Sequence, residues 1–480
     1  MGGIQRSSIM PVLVSKGKVA IKDSDKAEQL VEAFVKVHSN DNLSESVRRS
    51  NIDYGCLVYG SASRTLLKKI EVIQNQALRI CCGAFRSSPI ASLQVEMGEL
   101  PLDLRRFKLR MRYWYGVKGH LGNHPVELIL RECWEYECRE ITSFGWLVRK
   151  EVDKLEPKNH EIAPSVALPA IPPWLFHVPV IDLRVAKLLS NLGNNVPIEL
   201  IVQQYIIREY DDALQVFTDG SKDPESERAA AAVYIPAFKK KIAKRLSDQV
   251  SVFATELLAV ILALQWIEEV QPERTVICSD SMAALTSLRS GKSDSRQDLI
   301  LEILQSLFRI GQLRVEVNFL WVPAHVGVGG NEMVDMLAKN ALNHSMIDVN
   351  VALSRAEFKA VISSVVGKRW QELWNSGTTG RHLYLIQETV GKERKRLGNR
   401  WKDVIVTRLR IGHAALNSGL FRIGKHESGK CDKCGEPETV RHILYKCPAY
   451  ERDRFQLIQE LGLIGVGNIS LKCSLHTPDQ

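Results

Sequence analysis

Four acidic residues stand where predicted strands end or predicted helices begin. They are Asp219 in TDGS, Glu256 in ATELLAV, Asp280 in CSDS and Asp335 in GNEMVDMLAK. Side chains at strand ends and on facing helices of an α/β sheet can converge on one cleft. Carboxylates gathered in this way repel one another unless a cation lies between them, and oxygen ligands suit Mg²⁺. Two such ions about 4 Å apart would hold the attacking and leaving oxygens of a phosphodiester.

Each of these acids, taken singly, also suits a surface turn or a helix cap, where aspartate is favoured. Glu256 fits that alternative least well, because it is the one charged residue in the apolar run Val252–Trp266. The metal interpretation therefore depends on the four acids as a set.

A second group of candidate ligands lies near the end of the chain. The spacing is Cys431-x₂-Cys434-x₇-His442-x₄-Cys447, and Gly435 permits a tight turn after the second cysteine. Three sulfurs and one imidazole nitrogen are the ligands of a closed, tetrahedral zinc site. The alternative is that these are incidental cysteines of an intracellular protein.

The elements that must position the four acids follow an α/β pattern that starts near residue 213. Short β-rich runs and apolar helical runs alternate there, which predicts a mixed five-stranded sheet flanked by helices. The predicted strands cover 213–221, 228–236, 239–247, 274–281 and 313–322, and the predicted helices cover 253–270, 296–310 and 331–342.

Four motifs in this zone resemble, in order and approximate spacing, the type-1 ribonuclease H domain. They are TDGSK (218–222), ATELLAV (254–260), SDS (279–281) and WVPAHVGVGGNEMVDMLAK (321–339). The resemblance implies that the four acids are catalytic metal ligands. It also implies that His325 is the family's mobile-loop histidine, which assists water activation or product release. The chain departs from the pattern at Ala324, where glycine is usual, and at Val334, where alanine is usual.

The activity implied by the resemblance is hydrolysis of the RNA strand of an RNA–DNA hybrid, leaving 5′-phosphate and 3′-hydroxyl ends. The implied cofactor is a pair of Mg²⁺ ions, with Mn²⁺ as the alternative. The stretch from Asp280 to Trp321 is too short for the basic protrusion of some family members, so substrate grip must come from elsewhere. The rival hypothesis is a non-catalytic nucleic-acid-binding remnant that acts through the basic, zinc-bearing C-terminal region.

The flanking segments resemble parts of non-LTR (LINE-type) retrotransposon polyproteins. Residues 51–106 resemble the segment after the polymerase palm, and residues 10–50 resemble the segment that precedes the polymerase. The segment RLRIGHAAL…CDKCGEPETVRHILYKCPAY resembles their C-terminal part. The palm itself is missing between these flanks, and EYDDA (209–213) does not replace it. We therefore expect any polymerase partner to be supplied in trans.

The predicted domain organisation follows from these features. It has a pre-polymerase remnant, a helical post-palm remnant, a Pro-rich linker, the ribonuclease H domain, and a basic helical region with the zinc motif. The respective ranges are 1–50, 51–150, 151–210, 211–345 and 346–480.

The charge of the chain is concentrated near its end. Lys and Arg number 64 and Asp and Glu 55, while residues 351–480 alone hold 22 and 13, so this segment carries the whole surplus of +9. The segment KERKRLGNRWK (392–402), with Arg408 and Arg410, suggests contact with nucleic-acid phosphates. Trp370 and Trp374, at helical spacing, are better explained as one buried helix face than as stacking platforms.

The longest uncharged stretch, Ile162–Ile181, contains five prolines and His177, so it does not predict a membrane-spanning helix. The start MGGIQRSSIMPVLVSKGK lacks the apolar stretch of a secretory signal. We therefore expect an intracellular protein, in the nucleus or the cytoplasm, that binds an RNA–DNA hybrid and no membrane.

Overall fold

The computed structural model describes most of the chain from residue 52 onward. The described residues are 13–15, 18–20, 52–120, 124–135, 143–152, 154–155, 161–164, 169–190, 197–392, 394 and 399–460. The predicted pre-polymerase remnant lies outside them except for two short strands. The chain divides into two compact units, the first made of 1–111, 132–151 and 362–480 and the second of 112–131 and 152–361. Each unit is described by itself below.

The strands are, in chain order, β1 (Leu13–Ser15), β2 (Lys18–Ala20), β3 (Val180–Asp182), β4 (Leu214–Lys222), β5 (Ala229–Ile235), β6 (Lys240–Leu246), β7 (Arg274–Ser279) and β8 (Glu316–Trp321). The helices are α1 (Cys56–Tyr59), α2 (Arg64–Cys82), α3 (Ile90–Glu96), α4 (Leu102–Lys118), α5 (Pro125–Leu130), α6 (Glu132–Glu135), α7 (Phe144–Val152), α8 (Arg184–Ser190), α9 (Ile198–Tyr210), α10 (Val252–Val270), α11 (Met282–Ser290), α12 (Gln297–Gln312), α13 (Gly329–Ala341), α14 (Arg355–Ser376), α15 (Arg381–Tyr384), α16 (Arg400–Ile411), α17 (Asn417–Arg422), α18 (Val440–Tyr445) and α19 (Glu451–Glu460).

The second unit is built on a six-stranded mixed sheet. Its strand order is β3-β8-β7-β4-β5-β6. Strands β3, β8, β7 and β4 run parallel to one another, whereas β5 pairs antiparallel with both β4 and β6. The predicted α/β fold class is thus confirmed, and one strand is added to the five that we expected.

Helices cover both faces of this sheet. One core joins inward residues of β4, β5 and β7 to α10, α11 and α12, and it includes Leu257, Leu264 and Ile300. The other core joins alternate residues of the same strands to α8, α9 and α13, and it includes Phe217 and Ala338. Residues that alternate along a strand point to opposite faces, so both faces are buried and the strands are nearly continuous apolar runs.

The added strand, β3, lies inside the segment that we predicted to be a Pro-rich linker. It is three residues long and pairs with β8, with Ile181 opposite Phe319. Asp182 ends it and accepts hydrogen bonds from Tyr205 of α9 at 2.7 Å and from Tyr210 at 3.0 Å. Residues 151–210 therefore contribute a strand and two helices to the second unit.

Residues that follow the predicted ribonuclease H domain also pack into this unit. Asp348 Oδ2 accepts from the Arg245 backbone N–H at 2.7 Å, and the backbone N–H of Ala163 donates to Leu353 at 2.9 Å. Glu357 accepts from Ser251 N–H at 2.8 Å and from the buried Arg296 at 3.2 Å. The packed unit thus extends well beyond residue 345.

The first unit joins helices from opposite ends of the sequence. Helix α3 supplies the buried Glu96, whose carboxylate accepts from Arg394 Nε at 3.0 Å and from Arg410 Nε at 2.8 Å. Arg408 Nε donates to the Gly83 carbonyl at 2.7 Å, and its guanidinium lies over the Phe85 ring. A buried carboxylate needs such paired donors.

These contacts correct the prediction that Arg408 and Arg410 contact nucleic acid. Arg410 is 2% exposed, and Arg408 is bound to the α2–α3 loop. Within KERKRLGNRWK, residues 393 and 395–398 lie outside the described residues. Trp370 and Trp374 are buried, which confirms the helix-face interpretation. Among the described helices, none has both the length and the apolar character that crossing a membrane requires.

Candidate active site and metal centre

Two neighbouring parallel strands bring the first pair of acids to one edge of the sheet. The parallel pairing of β4 with β7 ends at Thr218 opposite Ser279, so Asp219 and Asp280 are the next residues on the two strands. We expected Asp219 near the end of a strand over 213–221, and β4 continues to Lys222 because its other edge pairs with β5. Asp219 therefore lies inside β4, with strand residues before and after it.

Helix α10 brings the third acid to this edge. Ser251 caps the helix by accepting from Ala254 N–H at 3.3 Å, which places Glu256 in the first turns. A Cβ at Gly220 would lie 2.5 Å from the Glu256 backbone nitrogen, so only glycine allows β4 and α10 to approach this closely. This contact explains the glycine in TDGS.

The three carboxylates form one cluster. Asp219, Glu256 and Asp280 each offer an oxygen, and these oxygens all lie within 4.8 Å of one another. Glu256 is 7% exposed, and its Oε2 atom is buried without a hydrogen-bond partner. A buried acceptor with no donor is rare in folded proteins, and a bound cation would satisfy it. The donor set is all oxygen, as Mg²⁺ and Mn²⁺ prefer.

The electrostatics of the cluster also favour a bound cation. Burial raises the pKa of Asp219 to about 7, and the charges of Asp280 and Asp335 add to the effect. Burial, together with Asp219 and Asp280, raises the pKa of Glu256 to about 9. The carboxylates thus destabilise one another's charged forms, and positive charge placed among them would relieve the repulsion.

Asp280 is oriented by a residue that the sequence reasoning missed. Asn331, at the start of α13, is buried and donates from Nδ2 to Asp280 Oδ2 at 3.2 Å. Burial raises the pKa of Asp280, while this hydrogen bond and the nearby His325 oppose the rise. The only sequence signal was the position of Asn331 within the GNEMVD motif.

The remaining predicted site residues form a second, more exposed group. His325, Glu332 and Asp335 each offer an atom, and these atoms lie within 4.8 Å of one another. Glu332 was not predicted, and its Oε1 accepts from the Gly327 N–H at 3.3 Å, which ties the loop to α13. Asp335 also pairs with Lys339 at 2.8 Å. The structure therefore separates the acids into a cluster of three, in which Asp219 and Glu256 are buried and Asp280 is half-buried, and a more exposed group that contains the half-buried Asp335.

The loop that carries the histidine is shaped by its backbone. His325 has φ of 54°, a left-handed conformation that is uncommon for residues other than glycine. Ala324 before it is exposed, whereas Val334 is fully buried against the α9 side of the sheet. The valine that stands where alanine is usual therefore packs into the hydrophobic core.

The Cys/His motif also comes together, in the first unit. The four ligand atoms lie within 4.8 Å of one another. The Cys431 and Cys447 sulfurs are 3.8 Å apart, and Cys434 Sγ is 3.2 Å from His442 Nε2. Zinc–sulfur bonds of about 2.3 Å in a tetrahedral site put two sulfurs about 3.8 Å apart. The residues therefore fit a zinc ion, and Gly435, with φ of 76°, makes the turn between them.

A comparison with protein-family models agrees with the geometry of the second unit. The model described as RNase H matches residues 211–343. The match starts just before β4 and ends just after α13, so it contains all four acids and His325. The comparison therefore supports an RNase H domain at residues 211–343.

Proposed function

We propose that the chain is a metal-dependent endonuclease of the type-1 ribonuclease H class that hydrolyses the RNA strand of RNA–DNA hybrids. The observation that carries the proposal is the buried cluster of Asp219, Glu256 and Asp280 inside an RNase H domain. The acids needed for this chemistry are all present, whereas loss of even one would favour a remnant without activity.

The carboxylates are proposed as metal ligands because they fit a cation. Asp219, Glu256 and Asp280 would hold one ion in the buried cluster, and Asp335 would complete a second position with Asp219. Two Mg²⁺ ions, or Mn²⁺, would supply the positive charge that stabilises charge developing on the phosphodiester.

The chain's own residues keep this arrangement in place. Asn331 fixes the rotamer of Asp280 through its hydrogen bond, and β4 and α10 fix the backbones of Asp219 and Glu256. His325 stands on the exposed loop, where its imidazole can accept or release a proton at the edge of the site. The 2′-hydroxyl is the group by which such a site distinguishes RNA from DNA.

The proposal is tested by a cleavage assay on a 5′-labelled RNA–DNA hybrid with Mg²⁺, beside single-stranded and duplex RNA. Asp219→Asn keeps the shape and removes a ligand charge, so cleavage should fall by several orders of magnitude while hybrid binding survives. Asp294→Asn, an exposed acid in the same unit, is the matched control and should cleave like wild type. Hybrid binding without cleavage by wild type would favour the rival, a non-catalytic binding remnant.

The flanks support a proposed origin and further ligands. We propose that the chain derives from a LINE-type retrotransposon polyprotein without its polymerase palm, so that a polymerase partner acts in trans. The predicted segments 1–50, 51–150, 151–210, 211–345 and 346–480 stay part of this proposal. Cys431, Cys434, His442 and Cys447 are proposed to hold a structural zinc ion.

A further inference from the structure

The first unit contains a cleft with three arginines in its lining. Its volume is about 340 Å³, within the range of small-ligand sites. Arg381, His382, His413, Arg422 and Arg441 line it, and the acidic residue of the lining is Glu438. All of these residues belong to the same compact unit.

The arginines of the cleft differ in whether their guanidinium groups already have hydrogen-bond partners in the protein. Arg381 is bound by the protein, because its Nη1 donates to the carbonyls of Trp374 and Asn375 and its guanidinium stacks on Tyr384. Its Nη2 atom, however, is buried and has no hydrogen-bond partner. Arg394, Arg408 and Arg410, which lie outside the cleft, are likewise bound in internal contacts.

Arg422 and Arg441, by contrast, are exposed. Among the described residues, neither makes a side-chain hydrogen bond or an ion pair. The cleft's acid is engaged with the backbone, since Glu438 Oε2 accepts from Asn417 N–H at 2.7 Å. Two uncommitted guanidinium groups thus face a cavity whose single carboxylate already has a donor.

A cavity with this lining suits an anion with several oxygens. Guanidinium groups bind phosphate through paired hydrogen bonds, and the buried donor of Arg381 lies in the same lining. The lining has no tryptophan, tyrosine or phenylalanine, and its guanidinium groups favour a phosphate over a base.

We infer that this cleft binds backbone phosphates of a nucleic-acid strand, as a second contact separate from the carboxylate site. The inference rests on the proposed function only in the choice of polyanion, because the RNase H domain acts on nucleic acid. A phosphate contact in the other unit of the same chain would raise the local concentration of the strand. It would also strengthen substrate binding, because the stretch from Asp280 to Trp321 is too short for a basic protrusion.

The test measures RNA binding in full-length protein that also carries Asp219→Asn, so that cleavage cannot intervene. Fluorescence anisotropy of a 12-nucleotide labelled RNA is recorded at 50 and 200 mM KCl. Arg422→Ala with Arg441→Ala should weaken binding about tenfold or more at 50 mM and lower the salt slope by about 1. The matched control, Arg64→Ala with Lys68→Ala, removes two exposed charges of the same unit outside the cleft and should change affinity less than about twofold.

Arg422→Lys with Arg441→Lys should keep the salt slope. An unchanged thermal transition shows that each variant folds. An equal loss in the cleft and control variants would overturn the inference, since binding would then follow total charge. The inference would also be overturned if polyglutamate competed for the protein as well as RNA does. The same holds if inorganic phosphate bound the cleft but the substitutions left the affinity for RNA unchanged. The readout does not need nuclease activity, so failure of the proposed function leaves it intact.

Discussion

Arg410 and Glu96 form a buried ion pair across 314 residues of sequence, with 2.8 Å between Arg410 Nε and Glu96 Oε2. Arg394 donates to the other carboxylate oxygen, and Arg410 also donates from Nη2 to Gln387 at 2.7 Å. Most of the segment that carries the chain's surplus positive charge, from residue 362 onward, is therefore an integral part of the first unit. Removing residues 351–480 would leave Glu96 buried and without these donors.

The first prediction concerns this carboxylate. Glu96→Gln keeps the side-chain shape but removes the charge between two buried guanidinium groups, so it should destabilise the first unit by about 3 to 5 kcal/mol. Hydrogen–deuterium exchange of peptides from residues 52–111 should rise in the variant. Glu427→Gln, exposed in the same unit, is the control and should behave like wild type. Unchanged exchange in Glu96→Gln would show that the pair contributes no net stability.

A second prediction concerns the metal-free carboxylate cluster. The folded-state pKa of Asp219 is raised to about 7, so the folded protein holds a proton that the unfolded chain releases near pH 4. Such a group lowers stability as pH rises through this interval. Asp219→Asn should therefore stabilise chelator-treated protein at pH 8 by about 1 to 4 kcal/mol, and the gain should vanish near pH 4.

Denaturant unfolding at the two pH values measures this gain. Added Mg²⁺ should stabilise wild type more than Asp219→Asn and so narrow the difference at pH 8. If the variant were less stable than wild type at pH 8 without metal, the raised pKa and the repulsion behind it would be wrong.

The sequence anticipated that three of the acids meet at one edge of the sheet because the relevant signals are local. Asp219 and Asp280 each follow an apolar strand, and Glu256 is a lone charge in an apolar helix. Asn331 and Glu332 were missed because their roles depend on partners elsewhere in the fold, Asp280 and the Gly327 backbone.

The sequence predicted the flanks less well because their contacts are long-range. Strand β3 is only three residues long and directly follows Pro179, so no periodicity marks it. Arg410 resembles surface charge until α3 supplies Glu96, and Arg408 does so until its contacts with Gly83 and Phe85 are known. Pattern reasoning assigns charge to the surface by default, and it fails where a distant carboxylate makes burial favourable.

A third prediction concerns the Cys/His site. Wild-type protein should carry about one equivalent of zinc, measured by atomic absorption, because four ligand atoms are already gathered at zinc-like separations. Cys434→Ser with Cys447→Ser should carry almost none and should expose residues 417–447 to proteolysis, since structural zinc supplies folding energy. Cys81→Ser, outside the cluster, is the control. Full zinc content in the double variant would place the ion elsewhere.

The last prediction concerns Glu357, which lies outside the matched residues 211–343 yet is buried in the same unit. Its Oε1 accepts from the N–H and hydroxyl of Ser251, the cap of the helix that carries Glu256, at 2.8 and 2.7 Å. Its Oε2 accepts from Arg296, which is 1% exposed, at 3.2 Å. The carboxylate thus stabilises the start of α10 from a position beyond the domain.

Glu357→Gln should therefore destabilise the second unit by about 1 to 3 kcal/mol, because it weakens charged hydrogen bonds to Ser251 and Arg296, while Arg296 keeps Asp298 as a counter-charge. Denaturant unfolding followed by exchange of α10 peptides measures the loss, and Glu273→Gln, exposed in the same unit, serves as the control. At saturating Mg²⁺ and low temperature, cleavage by the folded fraction should stay near wild type, since Glu357 holds the helix and not the metal. Normal stability in Glu357→Gln would mean that the Glu357 carboxylate contributes nothing to this unit.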